Sequence, residues 1–325
     1  MIYFDQSLLP WTALCDSWFE RATKINEIAS KKLRELMDNY VPSMIRFITN
    51  DAAPVIITNS NFVVNNLLTL LDCYLPITRK IEVETVEGTN ETKQADKLDS
   101  NLYFSLFSGT ESTSIAVLED EQINLVFERI FIFALVWSFG GILPDEFRNI
   151  FDKFLKDQIE LNQSKCAFPP RLTVFDYYPD LCRMSWAVWA DGVSNLNFTN
   201  DNPIYNQMVP TNESASTLFL SKLLLSYGKN FIICGPETLK TLTTTVLMNN
   251  VLNSSVYDCH YLQFSPCTTP DVIKQFMISN MHKKSGKYGP LPNKKLIYFF
   301  DNMNTIKPEI YGAQPSLELL NQFNN

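Results

Sequence analysis

Lys240-Thr241 and Asp301 are the residues whose types and surroundings could do chemistry together. A short apolar run, Phe231-Ile-Ile-Cys234, leads into Gly235-Pro236, and Lys240-Thr241 follow where a helical pattern begins. A second apolar run, Leu296-Ile-Tyr-Phe-Phe300, delivers Asp301 and then Asn302. A strand, a glycine loop, Lys-Thr and a later strand ending in Asp is the layout of a nucleoside-triphosphate site. The loop would cradle phosphates, and the carboxylate would hold magnesium.

Both halves depart from the working pattern G-x-x-x-x-G-K-[ST]. Its glycines let successive N–H groups turn toward phosphate oxygens, its lysine neutralises charge, and its hydroxyl reaches the metal. Here Gly235 is present and the second glycine is not. Aligned on Lys240-Thr241, the loop is one residue short and Leu239 takes the second glycine's place. Aligned on Gly235 without a gap, Thr241 replaces the lysine and Leu242 the hydroxyl. A side chain forced to positive φ costs on the order of 1–2 kcal/mol. Glu237 adds negative charge where phosphates would lie. An ordinary strand-to-helix turn is the competing reading of the same residues. In the second half, a hydrolytic site would carry a carboxylate after Asp301 to polarise water. Asn302 is an amide and cannot accept that proton near neutral pH. A buried strand ending in an Asp-Asn turn is the plainer alternative.

The rest of the chain narrows the classes. It has 325 residues, enough for two domains, and 46% are hydrophobic. Its net charge is −8 with Lys and Arg scattered, so no nucleic-acid surface is expected. The seven cysteines form no C-x-x-C pair, and reduced intracellular thiols are expected. His260 and His282 lack metal-ligand spacing and read as structural or surface residues. Ile130–Leu143 is too short an apolar run to span a bilayer and reads as a buried helix, so no membrane partner is expected. Lys283, Lys284 and Lys287 surround a glycine and read as a solvated hairpin tip.

The elements that must position these residues differ between halves. Apolar residues recur at helical spacing over 11–48, including Leu14, Trp18, Leu33, Leu36, Met37 and Tyr40, with Pro42 expected to break or kink the helix. Residues 61–75 read as a second helix and 79–101 as a polar flexible loop. A helix from about Asp120 to Phe139 is expected to end at Gly140-Gly141, and Pro144 to open another, whose apolar face is Phe147, Ile150, Phe151, Phe154 and Leu155. After Lys165, Leu172–Tyr178 reads as β-like, and Trp186 and Trp189 as irregular or hairpin-like. From about Asn212 the order becomes helix, strand, loop, helix, strand, helix, hairpin, strand, helix. That order predicts a mostly parallel sheet covered on both faces. The fold class expected is therefore α followed by α/β.

Longer stretches go beyond a generic phosphate loop. Over nearly its whole length the chain resembles a dynein heavy chain, from the lid of the second AAA+ module into the large subdomain of the third. Met1-Ile-Tyr-Phe-Asp5 with Trp11, and Phe131-Ile-Phe-Ala-Leu-Val-Trp-Ser-Phe-Gly-Gly141, are similar to the lid. Thr173-Val-Phe-Asp-Tyr-Tyr178 is similar to the linking stretch. Tyr288-Gly-Pro290, Phe300-Asp-Asn-Met-Asn304 and Tyr311-Gly-Ala-Gln-Pro-Ser-Leu-Glu-Leu-Leu320 are similar to the third module.

The resemblance implies three regions: 1–165 as the helical lid, 166–207 as a connector and 208–325 as the partial α/β subdomain. It implies an adenine near Val209, Pro210 and Thr211, and ATP or ADP phosphates near Gly235, Pro236, Lys240 and Thr241. Asp301 would be the magnesium ligand. Where the family has Gly-Pro-Thr-Gly-Thr-Gly-Lys-Thr, this chain has Gly-Pro-Glu-Thr-Leu-Lys-Thr. Where the family has Asp-Asp-Leu-Asn-Met-Pro, it has Asp301-Asn-Met-Asn-Thr-Ile306. Glu237, Leu239 and Asn302 mark the degeneration, so Mg-ATP is expected to bind weakly or not at all. The resemblance implies a segment of a motor ring, in the cytoplasm and cytoskeleton, at the axoneme of a cilium or flagellum. Its expected partners are neighbouring AAA+ modules of the same heavy chain. Intermediate chains, light chains and microtubules would be reached through other regions. An ATP-binding P-loop module that retains Mg-ATP binding or slow hydrolysis, and a stand-alone truncated binding or structural protein, are the alternatives.

Overall fold

The computed structural model describes residues 10–25, 27–55, 59–86, 120–181, 183–192, 208–209, 211–235, 240–284 and 286–324. These form two compact units. One comprises 1–197 with 209–231, the other 198–208 with 232–325.

The first unit is helical: α1 (Trp11–Ile25), α2 (Glu27–Asn50), α3 (Ser60–Val86), α4 (Asp120–Leu135) and α5 (Asp145–Leu161). The helical repeat buries Trp18, Leu33, Leu36, Met37 and Tyr40 as expected, whereas Leu14 is exposed. Pro42 does not break α2, which runs on to Asn50. Tyr40, Val41 and Met44 are each at most 1% exposed. Burial on both sides of the proline offsets the helical hydrogen bond it removes. The expected loop at 79–101 is corrected in its first part, since α3 continues to Val86; the remainder lies outside the described residues.

α4 ends in a π-helical turn, Val136–Gly140. A Cβ on Gly140 would come within 2.7 Å of the Phe151 and Phe175 rings, so close ring packing explains this glycine. Pro144 is the N-cap of α5, one residue before the first helical turn. Phe151 and Leu155 face the core, but Ile150 is half exposed and is not part of that face.

Beyond α5 the β-like run resolves into a one-turn 3-10 helix, Val174–Asp176, and the hairpin β1 (Tyr177–Asp180) and β2 (Ser185–Val188). The short α6 (Trp189–Gly192) follows. The Asp176 carboxylate accepts from the Thr173 hydroxyl at 2.6 Å and from Asn212 Nδ2 at 3.0 Å. The latter bond ties the hairpin to the start of α7 (Asn212–Ser226). Phe219 of α7 is 1% exposed among Phe133, Tyr178 and Trp189. Thus α7 completes the helical core.

α7 closes with a Schellman arrangement. The Gly228 N–H donates to Leu225 O and the Lys229 N–H to Leu224 O, with Gly228 at φ +65°. Lys229 Nζ then reaches Asp72 Oδ2 at 2.9 Å, while Trp18 Nε1 donates to Asp72 Oδ1 at 2.7 Å. One carboxylate of α3 holds both α1 and the end of α7.

The second unit contains α8 (Lys240–Val246), β3 (Tyr257–Gln263), α9 (Pro270–Ser279), β4 (His282–Lys284), β5 (Lys287–Gly289), β6 (Lys295–Asp301) and α10 (Pro315–Asn324). A π-helical turn, Leu247–Val251, extends α8. The expected strand at Phe231–Cys234 does not form: these residues pair with no strand among the described residues, and Ile232 is 78% exposed. Apolar β-branched sequence forms a strand only where a sheet edge accepts its hydrogen bonds. Among the described residues the parallel sheet is β3 beside β6, from Tyr257↔Lys295 to Gln263↔Asp301. The strand alternation sends Leu262, Phe264, Tyr298 and Phe300 into a small core with Ile273, Met277, Ile306 and Leu320. The opposite sheet face carries Tyr261, Phe299 and Asp301. The lysine-bearing hairpin is β4–β5, turning at Gly286 with φ +80°.

Candidate nucleotide site

Asp301 is the last residue of β6, and its carboxylate is held from three sides. Thr241 Oγ1, in the first turn of α8, donates to Asp301 Oδ2 at 2.9 Å. The Tyr261 hydroxyl donates to the same oxygen at 2.9 Å. The Asn302 backbone N–H donates to Asp301 Oδ1 at 2.9 Å. Tyr261 gets there through register. It pairs with Phe299 across the sheet, and their rings lie 5.5 Å apart. Asp301 is two residues further along the same face, within diagonal reach of a long side chain. Burial, together with the Asp301 hydrogen bond and charge, pushes the Tyr261 phenol up to about 12, so it stays a donor through the neutral range.

Lys240 Nζ donates to Gly235 O at 2.7 Å, closing the lysine onto the first residue of the loop. Gly235 adopts φ +156°, and a Cβ there would meet nothing within 4 Å, so backbone conformation and not crowding favours glycine. Asn302 sits in the left-handed region, φ 57° and ψ 39°, just before the 3-10 turn Met303–Thr305. Asparagine tolerates that conformation better than most residues.

Gly235, Lys240, Thr241, Asp301 and Asn302 therefore gather within one unit. Val209 and Thr211 belong to the other unit. Val209 is 57% exposed, and Thr211 is the N-cap of α7, its hydroxyl accepting from Ser214 N at 3.2 Å. Pro210, Pro236, Glu237 and Leu239 lie outside the described residues. His260 Nε2 is 3.3 Å from Asp258 Oδ1 and joins no metal-binding group among the described residues. Tyr261 escaped the sequence reading. Only the strand register exposes its link to Asp301.

The oxygen spacing suits magnesium. Two donors on adjacent vertices of an octahedron with bonds of ~2.0–2.1 Å are about 2.9 Å apart. Thr241 Oγ1 and Asp301 Oδ2 have that separation, and both are hard oxygen donors.

A helical unit is what an AAA+ lid provides, and a parallel strand pair whose terminal carboxylate meets a Lys-Thr helix start is what a P-loop AAA+ domain provides. The dynein heavy chain AAA lid domain matches residues 100–191, and the P-loop containing dynein motor region matches 196–325. The chain is 27% identical to mouse dynein axonemal heavy chain 1 over 344 aligned residues, covering 99% of this chain and 7% of that protein. It is 31% identical to human dynein axonemal heavy chain 12 over 211 residues, covering 60% of this chain and 7% of the relative. The ciliary dynein beta chain of Heliocidaris crassispina is 27% identical over 327 residues, 99% of this chain and 6% of that protein. The chain belongs to the dynein heavy-chain family and corresponds to a segment of its AAA+ motor region. It spans a small part of the length of the relatives it matches. No described helix is long and apolar enough to cross a membrane.

Proposed function

We propose that this chain is one block of a dynein motor ring whose nucleotide site is degenerate and does not hydrolyse ATP efficiently. In this reading 1–165 is the lid of the second AAA+ module, 166–207 the connector, and 208–325 part of the third module's large subdomain. Asn302 carries the reading. It holds the position where a hydrolytic carboxylate is expected, in a left-handed turn, and its amide accepts no proton near neutral pH. The block transmits shape changes to neighbouring AAA+ modules of the same heavy chain. Intermediate chains, light chains and microtubules engage other regions of the assembled motor. The axonemal and ciliary names of the relatives support a place in the cytoskeleton of a cilium or flagellum.

A second reading, retained Mg-ATP binding, is favoured by the Thr241–Asp301 contact. Thr241 and Asp301 would hold the ion, which when bound supplies charge to the β- and γ-phosphate oxygens. Lys240 would exchange the Gly235 carbonyl for phosphate.

Equilibrium binding of a fluorescent ATP analogue with magnesium, together with phosphate release, separates the two readings. Saturable binding lost in Lys240→Ala, without phosphate release, supports binding without turnover. Phosphate release well above the Lys240→Ala level overturns the non-hydrolysing reading. No binding at all leaves the ring-block reading alone.

A further inference from the structure

We propose that the Tyr261 hydroxyl competes with a divalent cation and its water for Asp301 Oδ2, so that it keeps the metal carboxylate occupied while the site is empty of metal. The inference rests on Asp301 being the metal-facing carboxylate of the nucleotide site. Its ground is an inventory of lone pairs. A carboxylate oxygen offers about two acceptor positions. On Oδ2 one is taken by Thr241 at 2.9 Å and the other by Tyr261 at 2.9 Å. Oδ1 takes the Asn302 N–H. A cation seated beside Thr241 Oγ1, directly or through one of its waters, draws on Oδ2, the carboxylate oxygen that Thr241 touches, and there it shares that oxygen with the phenol, while Oδ1 keeps one further acceptor position.

Tyr261 is not loosely placed. The parallel register sets it opposite Phe299, and the ring pair aims the hydroxyl along the face toward Asp301. The phenol therefore acts as an internal substitute for a metal-bound water. It stabilises the metal-free carboxylate and weakens the site for metal.

The test compares the purified chain with Tyr261→Phe, which loses one oxygen, and Tyr261→Leu, which also loses the ring contact. Mn2+ alone is titrated and the bound fraction read by electron paramagnetic resonance. Thermal unfolding is measured in chelator. Competition predicts that both variants bind Mn2+ about 2- to 10-fold more tightly, the range set by one net hydrogen bond. Both should also melt at lower temperature without metal. Binding in Tyr261→Phe where the wild type shows none supports the proposal equally. Unchanged or weaker Mn2+ binding overturns it and makes Tyr261 a residue that merely orients Asp301. Silence in all three proteins overturns it too, because removing the phenol has then opened nothing. Failure here leaves the non-hydrolysing reading intact, since that reading falls only to phosphate release.

Discussion

Replacing Asp72 with alanine should destabilise the helical unit by about 2–4 kcal/mol. Trp18 is 2% exposed, and its indole N–H has its bond at 2.7 Å with Asp72 Oδ1. A hydrogen bond to a charged group contributes about 1.5–3 kcal/mol, and a buried donor left alone loses a similar amount. The Lys229 pair is partly solvated, with side chains 34% and 26% exposed, so it adds at most about 1 kcal/mol. Asp72→Asn keeps an acceptor for Trp18 and should cost only about 1 kcal/mol. Urea unfolding followed by tryptophan fluorescence isolates the effect. All five tryptophans, Trp11, Trp18, Trp137, Trp186 and Trp189, belong to the helical unit. A midpoint shift at constant slope gives the free-energy change. A loss below about 0.5 kcal/mol for Asp72→Ala, or equal losses for Ala and Asn, would refute the clamp, since neither fits a donor orphaned by truncation.

Five further outcomes follow from the packing and the site. Gly140→Ala should cost about 1–3 kcal/mol by overpacking Phe151 and Phe175, read from the same fluorescence transition. Lys222, 8% exposed on α7, has its pKa lowered by burial and no ion pair among the described residues. Lys222→Met should therefore raise the urea midpoint. Asn302→Val should cost about 1–2 kcal/mol through its left-handed backbone, while Asn302→Gly is neutral. Asn302→Asp, which adds the missing carboxylate, should raise phosphate release if nucleotide binds. Cys234 and Cys267 are exposed, whereas burial pushes the Cys73 thiol up to about 12 and Cys15 and Cys166 to about 11. Between pH 8 and 9.5 alkylation mapped by mass spectrometry should mark Cys234 and Cys267 and spare the other three. Labelling of Cys73 at a comparable rate would contradict that burial.

The helices were legible because their burial has a period the sequence repeats, as Trp18, Leu33, Met37 and Tyr40 illustrate. Pro42 was not, because its cost is offset by the burial of Tyr40, Val41 and Met44 around it, and that burial depends on partners distant in sequence such as Phe131 beside Tyr40. Phe231–Cys234 reads as a strand by composition, yet a strand exists only with a neighbour, and composition carries no neighbour. Thr241 and Asp301 were readable as a pair from motif spacing, and the structure brings them into contact. Tyr261 was hidden because its partner is fixed by the register of β3 on β6. α7 was read as the opening of the α/β half; its Phe219 nevertheless lies in the aromatic cluster of the helical unit.

That placement of α7 has a consequence for how the chain is made. The rings of Phe133, Tyr178 and Trp189 leave the ribosome well before Phe219, which completes their cluster. Until then the nascent helical unit presents an apolar wall with no cover, the kind of surface that chaperones hold and that aggregates form on. A polypeptide ended at residue 192 or 207 would keep that wall open permanently. One ended just past Lys229 would carry both the missing ring and the ammonium that fastens it to Asp72.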